Sequence, residues 1–165
     1  MSASASLTDW ADLSAASPDE RHEGMVRAFG AISVLDEEAR IGNCAVLLDQ
    51  EASLDDRALQ AMAASRFRAL AAMDPNAAAR VTAAFDRAEK QQPAAIGMRR
   101  VSALQTAARG LSLDEVSKVE AFMPAIREMA GLGPARREQP IAAGDLIVSA
   151  PAPKRGILAR LFSRS

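Results

Sequence analysis

Alanine content most limits what this chain can fold into. Alanine occupies 37 of the 165 positions, whereas only 4% of the residues are aromatic and none is tyrosine. Alanine has the highest intrinsic helix propensity, and strands are enriched in aromatic and β-branched residues. The composition therefore predicts helices and argues against a sheet. Because the chain has the length of one ordinary domain, we expect closely approaching helices around a core that is poor in aromatic side chains.

Cap signals and apolar spacing divide residues 7–133 into helical elements. The stripe after Ser53 has the i, i+3, i+4 spacing of an amphipathic helix, and Ser53 followed by two aspartates is typical of an N-cap and an acidic first turn. In the sixth element, Val101 shares a predicted buried face with Leu104, Ala108 and Leu111. We therefore predict an all-α bundle of six or seven short helices, with openings near Leu7, Pro18, Asp36, Ser53, Asp74, Pro93 and Ser112.

The last predicted helix contains Pro124. Proline removes a backbone donor and clashes with the preceding turn, so this helix is expected to bend or divide between Glu120 and Pro124. Its opening at Ser112 repeats the Ser-Leu-Asp-acid pattern found at Ser53, and both patterns start a stretch that ends at a proline. Alanine-rich helices match one another easily, so coincidence is the preferred interpretation and an ancient duplication is the alternative.

Composition and charge both change near residue 134. Prolines and glycines interrupt residues 135–153, which have the composition of a flexible linker. Residues 135–165 hold six basic and two acidic side chains, a net charge of +4, so the preceding residues carry −5 of the total of −1. The predicted organisation is a helical bundle over residues 1–134, a linker over residues 135–153 and a basic tail over residues 154–165.

The tail has an amphipathic pattern. If it is helical from Ile157, its four apolar side chains cover an arc of about 140 degrees, and Arg160 and Arg164 lie on the remaining side. This arrangement is typical of a helix that lies in the surface of an anionic membrane. The predicted membrane- or partner-binding residues are Lys154, Arg155, Ile157, Leu158, Arg160, Leu161, Phe162 and Arg164.

A short resemblance supports this interpretation of the tail. From Lys154 to Phe162 the chain has a basic pair, a glycine, two apolar residues, a spacer, an arginine and Leu-Phe. This stretch resembles the C-terminal membrane-targeting sequence of the bacterial division-site ATPase MinD, over about 12 of the 165 residues. The resemblance implies an amphipathic helix that inserts its apolar face into an anionic leaflet. It does not extend to the ATPase, because the chain has no G-x-x-x-x-G-K-[ST] loop.

The sequence offers little enzymatic chemistry. His22 is the only histidine, which excludes zinc sites with several histidines, H-E-x-x-H motifs and paired Glu-x-x-His motifs within one chain. Because no G-x-S-x-G context is present, His22 is interpreted as a solvated residue near a helix start. Cys44, the only cysteine, is interpreted as a buried structural thiol. We predict no catalytic residue, no metal and no cofactor.

Two sets of charged residues are assigned to the surface. Four arginines in two close pairs lack interleaved aromatic residues, so they are interpreted as helix-surface charges rather than phosphate contacts. Six carboxylates cluster around one interhelical turn without the spacing of an EF-hand, so they are interpreted as a solvated acidic rim rather than a cation site. The arginines are Arg66, Arg68, Arg99 and Arg100, and the carboxylates are Glu37, Glu38, Asp49, Glu51, Asp55 and Asp56.

The remaining sequence features bound the compartment and the partners. A pI near 5.9 argues against binding to bulk nucleic acid. No run approaches the roughly 18 uncharged apolar residues of a membrane span, and the opening residues have neither the basic nor the apolar region of a secretory signal. The predicted location is therefore the cytoplasm of a bacterium, with peripheral attachment to the inner face of the cell membrane.

The sequence thus predicts a non-enzymatic adaptor or regulatory protein that its tail recruits reversibly to an anionic membrane surface. An unidentified protein partner for the helical body and a homodimer that presents two tails complete this prediction. Two alternatives remain open. The tail would dock an accessory or cargo protein onto a partner protein or a protein shell, or the helical body would bind a small molecule between its helices.

Overall fold

A computed structural model describes residues 9–133, and all their regular secondary structure is α-helical. The predicted all-α helical bundle is confirmed. The predicted linker and tail helix lie outside the described residues. By length and hydropathy, no helix within residues 9–133 meets the requirement for crossing a bilayer. In chain order the helices are α1 (Trp10–Ala15), α2 (Pro18–Ser33), α3 (Glu37–Ala52), α4 (Asp56–Ala72), α5 (Pro75–Glu89), α6 (Ala94–Arg109), α7 (Leu113–Glu120) and α8 (Ile126–Met129).

Helix α4 is the central element of this bundle. It packs against both α2 and α6, while α3 packs against α5. Met62 and Leu70 of α4 belong to a core cluster shared with α1, α2, α3 and α5. Leu59, Ala63 and Phe67 of the same helix belong to a second cluster, shared with α6, α7 and α8. The apolar stripe predicted for this helix therefore serves two clusters, and α4 connects them.

Three buried aromatic rings form the centre of the first cluster. The centroid of the Phe29 ring lies 6.1 Å from that of Trp10 and 5.7 Å from that of Phe85, with an edge-to-face angle of 80° in the second pair. These are favourable separations for aromatic pairs. Trp10 and Phe29 are fully buried, and Phe85 is 5% exposed. Three of the six aromatic residues of the sequence thus meet where α1, α2 and α5 pack together.

The N-cap predicted at Ser112 is confirmed, and the N-cap predicted at Ser53 is wrong. Ser112 is the N-cap of α7 and forms a capping box with Glu115. Ser53, in contrast, is the C-cap of α3, and Asp55 is the residue whose carboxylate caps α4 by accepting from the backbone N–H of Ala58. The two Ser-Leu-Asp-acid patterns therefore begin their helices in different registers. This difference favours coincidence over duplication.

The division predicted near Pro124 is confirmed. Helix α7 ends at Glu120, and the four-residue helix α8 begins at Ile126, so the described residues contain eight helices where six or seven were predicted. Ile126 is fully buried, which anchors the short α8 in the second cluster.

The buried face predicted for the sixth helix is right except at Val101. Ala108 is fully buried, and Leu104 and Leu111 pack against the second cluster, as predicted. Val101, in contrast, is 44% exposed, whereas Arg100 is buried. The cause is Arg100, whose side chain lies inside the protein among partners that the sequence pattern did not connect with it.

We expect Phe29→Ala to lower the free energy of unfolding by about 3 to 5 kcal/mol, because it leaves a cavity beside two aromatic rings. Urea denaturation would measure the change. Val34→Ala is the control, since Val34 follows α2 directly and is 79% exposed; its effect should stay within about 0.5 kcal/mol. Similar losses for the two variants would contradict the assignment of Phe29 to the centre of the core.

Candidate functional site

The residues predicted to bind a membrane or partner lie outside the described part of the chain. The structure therefore neither places them nor brings them together. These residues are Lys154, Arg155, Ile157, Leu158, Arg160, Leu161, Phe162 and Arg164.

Within residues 9–133 the most unusual polar feature is the buried carboxylate of Glu51, on the last turn of α3. Its residue is 2% exposed. Glu51 Oε1 accepts hydrogen bonds from the indole N–H of Trp10 at 3.0 Å and from the guanidinium of Arg66, and Oε2 accepts from Arg100 Nε at 3.2 Å. The prediction of a solvated acidic rim is therefore wrong for Glu51, because two arginines from other helices neutralise it inside the protein.

The prediction that all four arginines are surface charges is wrong for Arg66 and Arg100. They are 4% and 6% exposed, and their guanidinium carbons lie 4.2 Å and 5.6 Å from the centroid of the Phe85 ring. An aromatic face attracts a cation, and the attraction is stronger when both groups are removed from water. Phe85 therefore supplements Glu51 in holding the two positive charges.

The prediction is right for the other member of each pair. Arg68 and Arg99 are partly exposed, and their Nε atoms contact Glu115 Oε1 at 3.3 Å and Asp56 Oδ1 at 2.7 Å, respectively. Such exposed ion pairs add little to stability. In each pair, one arginine side chain therefore points into the core and the other lies at the surface.

A second carboxylate balances the charge of the cluster. Arg100 Nη1 lies 3.4 Å from Glu89 Oε1, at the end of α5. Burial, followed by the nearby positive charge of Arg66, lowers the pKa of Arg100 to about 10, and the two glutamates oppose this shift. Arg100 therefore remains charged at neutral pH. The cluster of Glu51, Arg66, Arg100 and Glu89 joins α3, α4, α6 and α5, and the indole of Trp10 attaches α1 to it.

The sequence did contain a signal for this cluster. Arg66 lies on the apolar stripe of α4 between Met62 and Leu70, and Glu51 continues the apolar spacing of Leu47 on α3. A charged residue in such a position either points to the surface or finds a buried partner of opposite charge. One acid and two bases in stripe positions of three helices were the available indication that the second outcome applies.

The sulfur of Cys44 also lies in the core, as predicted. The residue is fully buried in the first cluster. Burial raises the pKa of its thiol to about 12, although the positive charges of Arg66, Arg100 and Arg40 oppose this shift. Since the thiolate is the reactive form of cysteine, Cys44 is chemically inert in the folded protein.

His22 lines an open cleft between α2, α4 and α7. Asp19, Arg68 and Lys118 also line this cleft. The residue is partly buried rather than fully solvated, and its Nδ1 atom is enclosed without a hydrogen-bond partner in residues 9–133. The prediction of a solvated histidine is therefore only partly correct.

The other five carboxylates of the predicted acidic rim are exposed, as expected. Three of them contact a neighbour. Glu37 forms an ion pair with Arg87, Asp56 accepts a hydrogen bond from Arg99, and Asp49 accepts one from the side-chain amide of Gln92. Asp55 caps α4. Within the described part of the chain no group of three potential metal ligands comes together.

Comparison with known proteins adds no assignment. No protein-family model, no curated protein and no solved structure matches this chain. The interpretation therefore rests on the residues and their geometry.

We expect Glu51→Gln to lower the free energy of unfolding by about 3 to 5 kcal/mol, because it leaves two buried guanidinium groups with too little negative charge. Glu38→Gln, at the exposed start of the same helix, should stay within about 0.5 kcal/mol. Urea denaturation would compare the two variants.

A triple variant tests whether the cost arises from unpaired charge. Glu51→Leu, Arg66→Met and Arg100→Met together should recover most of the stability lost in Glu51→Gln, because the three most deeply buried charges are removed together and the remaining Glu89 side chain is 27% exposed. Equal stability of Glu51→Gln and Glu38→Gln would contradict the assignment.

We expect Cys44 to resist alkylation by iodoacetamide in the native protein and to react stoichiometrically in guanidinium chloride, because unfolding exposes the thiol and restores its ordinary pKa. Mass spectrometry would count the labelled molecules. A variant that combines Cys44→Ala with Val34→Cys moves the single thiol to an exposed position and should react without denaturant. Rapid labelling of native Cys44 would show that this part of the core opens.

Proposed function

We propose that this protein is a non-enzymatic adaptor or regulatory protein that residues 154–165 recruit reversibly to an anionic membrane surface. The observation that carries the proposal is the separation of charge and apolar character along the sequence. Residues 135–165 have a net charge of +4, and residues 1–134 have a net charge of −5. In the tail, four apolar residues stand among the basic ones. An acidic body is repelled by an anionic surface, so attachment would be confined to the tail.

Two features of the helical body support a role without covalent chemistry. The only thiol is buried, and burial raises its pKa to about 12. The buried Glu51 carboxylate is occupied by Trp10, Arg66 and Arg100. Both groups are thus used to build the core, and the body offers its surface to a partner.

The magnitudes favour reversible attachment. An apolar side chain at the membrane surface contributes about half of the 1.5 to 3 kcal/mol gained on full burial, and each basic residue adds about 1 kcal/mol. Ordering each residue into a helix costs on the order of 1 to 2 kcal/mol. These terms nearly offset one another for one tail. A homodimer would attach more firmly, because binding of its first tail raises the effective concentration of the second tail at the membrane. Self-association would therefore control recruitment.

The test measures co-sedimentation of the full chain with anionic vesicles of phosphatidylglycerol and, separately, with neutral vesicles of phosphatidylcholine. We expect binding to the anionic vesicles only, and a loss of at least about 30-fold in the variant Leu158→Ser, Leu161→Ser and Phe162→Ser, which keeps the charge of the tail. A matched control places three serines in the linker instead, at Ala142, Ala143 and Ala150. Binding that survives the first variant would refute the proposal.

A fluorescent fusion separates membrane recruitment from the alternative of docking onto a protein shell. The full chain should decorate the cell membrane, and the serine variant of the tail should be diffuse. Discrete particles that disappear in the serine variant would assign the tail to a protein assembly instead.

A further inference from the structure

A groove between α3 and α5 gathers three arginines on an acidic body. Arg80 and Arg87 of α5 stand at i and i+7, and Ala83 and Ala84 lie between them on the same face, at i+3 and i+4. Because alanine side chains are short, they leave space between the two arginines. Helix α3 closes the other side, and the groove has a volume of about 290 Å³. Its lining residues are Glu37, Arg40, Ile41, Ala79, Arg80, Ala83, Ala84 and Arg87.

The connection between α2 and α3 orients two of these arginines. Arg80 Nε donates to the backbone oxygen of Ser33 at 3.1 Å, and Arg40 Nη2 donates to the backbone oxygen of Leu35 at 2.7 Å. Each guanidinium is thereby held by one contact and retains further donors. Arg40 Nε is enclosed without a hydrogen-bond partner in residues 9–133, and the terminal nitrogens of Arg80 have no acceptor there.

Glu37 shows which kind of group the groove accepts. Its carboxylate pairs with the guanidinium of Arg87. The Glu37 and Arg87 side chains are 62% and 55% exposed, so this pair is weak and can exchange. A carboxylate from the protein itself therefore already occupies part of the groove as an oxyanion.

The net charge and the volume of the groove indicate which class of ligand it binds. Three arginines and Glu37 give the groove a net charge of +2. A phosphate monoester carries about −1.5 to −2 near neutral pH and has three terminal oxygens that match guanidinium donors. Ligand pockets span roughly 300 to 1,000 Å³, so this groove suits a small molecule. We propose that the groove between α3 and α5 binds a small molecule that carries a phosphate group, and that Arg40, Arg80 and Arg87 contact this phosphate.

The residues of this site all lie between positions 37 and 87, so the proposal does not rest on the tail. The phosphate would come either from a free metabolite or from a lipid whose headgroup ends in a phosphate monoester, since both present the same group. Because the phosphate pKa lies near 6, affinity should fall as the pH drops through that value and the ligand loses negative charge, while the arginines stay charged.

The test titrates the full chain with inorganic phosphate and glycerol phosphate at constant ionic strength, followed by NMR of the backbone amides. We expect saturable shifts at Ala79 and Ala83, with a dissociation constant of about 1 mM or below. Arg80→Ala should weaken binding at least about tenfold, and Glu37→Gln should strengthen it by removing the competing carboxylate.

Arg57→Ala is the matched control, since it removes one exposed positive charge from α4, outside the groove. It should leave affinity within about twofold. No saturable shift up to about 10 mM phosphate, or equal losses in Arg57→Ala and Arg80→Ala, would overturn the proposal.

Vesicles distinguish the two sources of phosphate. The full chain carrying the three serine substitutions in its tail is mixed with vesicles of phosphatidic acid, whose headgroup is a phosphate monoester, with and without Arg80→Ala. Co-sedimentation that depends on Arg80 would identify a lipid headgroup as the ligand, whereas binding of glycerol phosphate without co-sedimentation would identify a free metabolite. Neither arm depends on the tail, so failure here leaves the membrane-recruitment proposal standing, and the reverse also holds.

Discussion

The carboxylate of Glu51 is the point on which the packing of this bundle depends. It neutralises Arg66 and Arg100, whose guanidinium groups lie over the ring of Phe85, and it accepts from the indole of Trp10. Removing charges from water is costly, and a buried ion pair is not by itself a source of stability. Its contribution here is to fix the relative positions of the helices, because side chains from α1, α3, α4, α5 and α6 meet at this carboxylate and its partners.

The fold could be predicted to the level of its elements. Alanine content and apolar spacing indicated an all-α bundle, and Pro124 indicated the division between α7 and α8, because both signals act locally on the backbone. Cap positions were less reliable. Ser53 and Ser112 open similar tetrapeptides, but Asp55 rather than Ser53 caps α4, whereas Ser112 rather than Asp114 caps α7. Short polar side chains compete for the same backbone donors, so their order cannot be settled from sequence spacing alone.

The charged cluster was indicated only in part. The position of Arg66 on the apolar stripe of α4 indicated a buried side chain, but the sequence did not identify Glu51, 15 residues earlier in the chain, as its partner. Assigning every arginine to the surface also placed Val101 on the buried face of α6 in place of Arg100. The arginine groove was missed for a related reason. Arg40 and Arg80 are 40 residues apart, and only the packing of α3 on α5 reveals that they line the same groove.

Helix α4 carries apolar side chains into both core clusters. A piece containing only α1 to α3 and α5, or only α6 to α8, would expose one side of its hydrophobic interior to water. Both core clusters therefore depend on α4, and they should unfold together in one cooperative transition rather than as separable modules. A substitution in α4 that weakens one cluster is therefore expected to lower the stability of the other cluster as well.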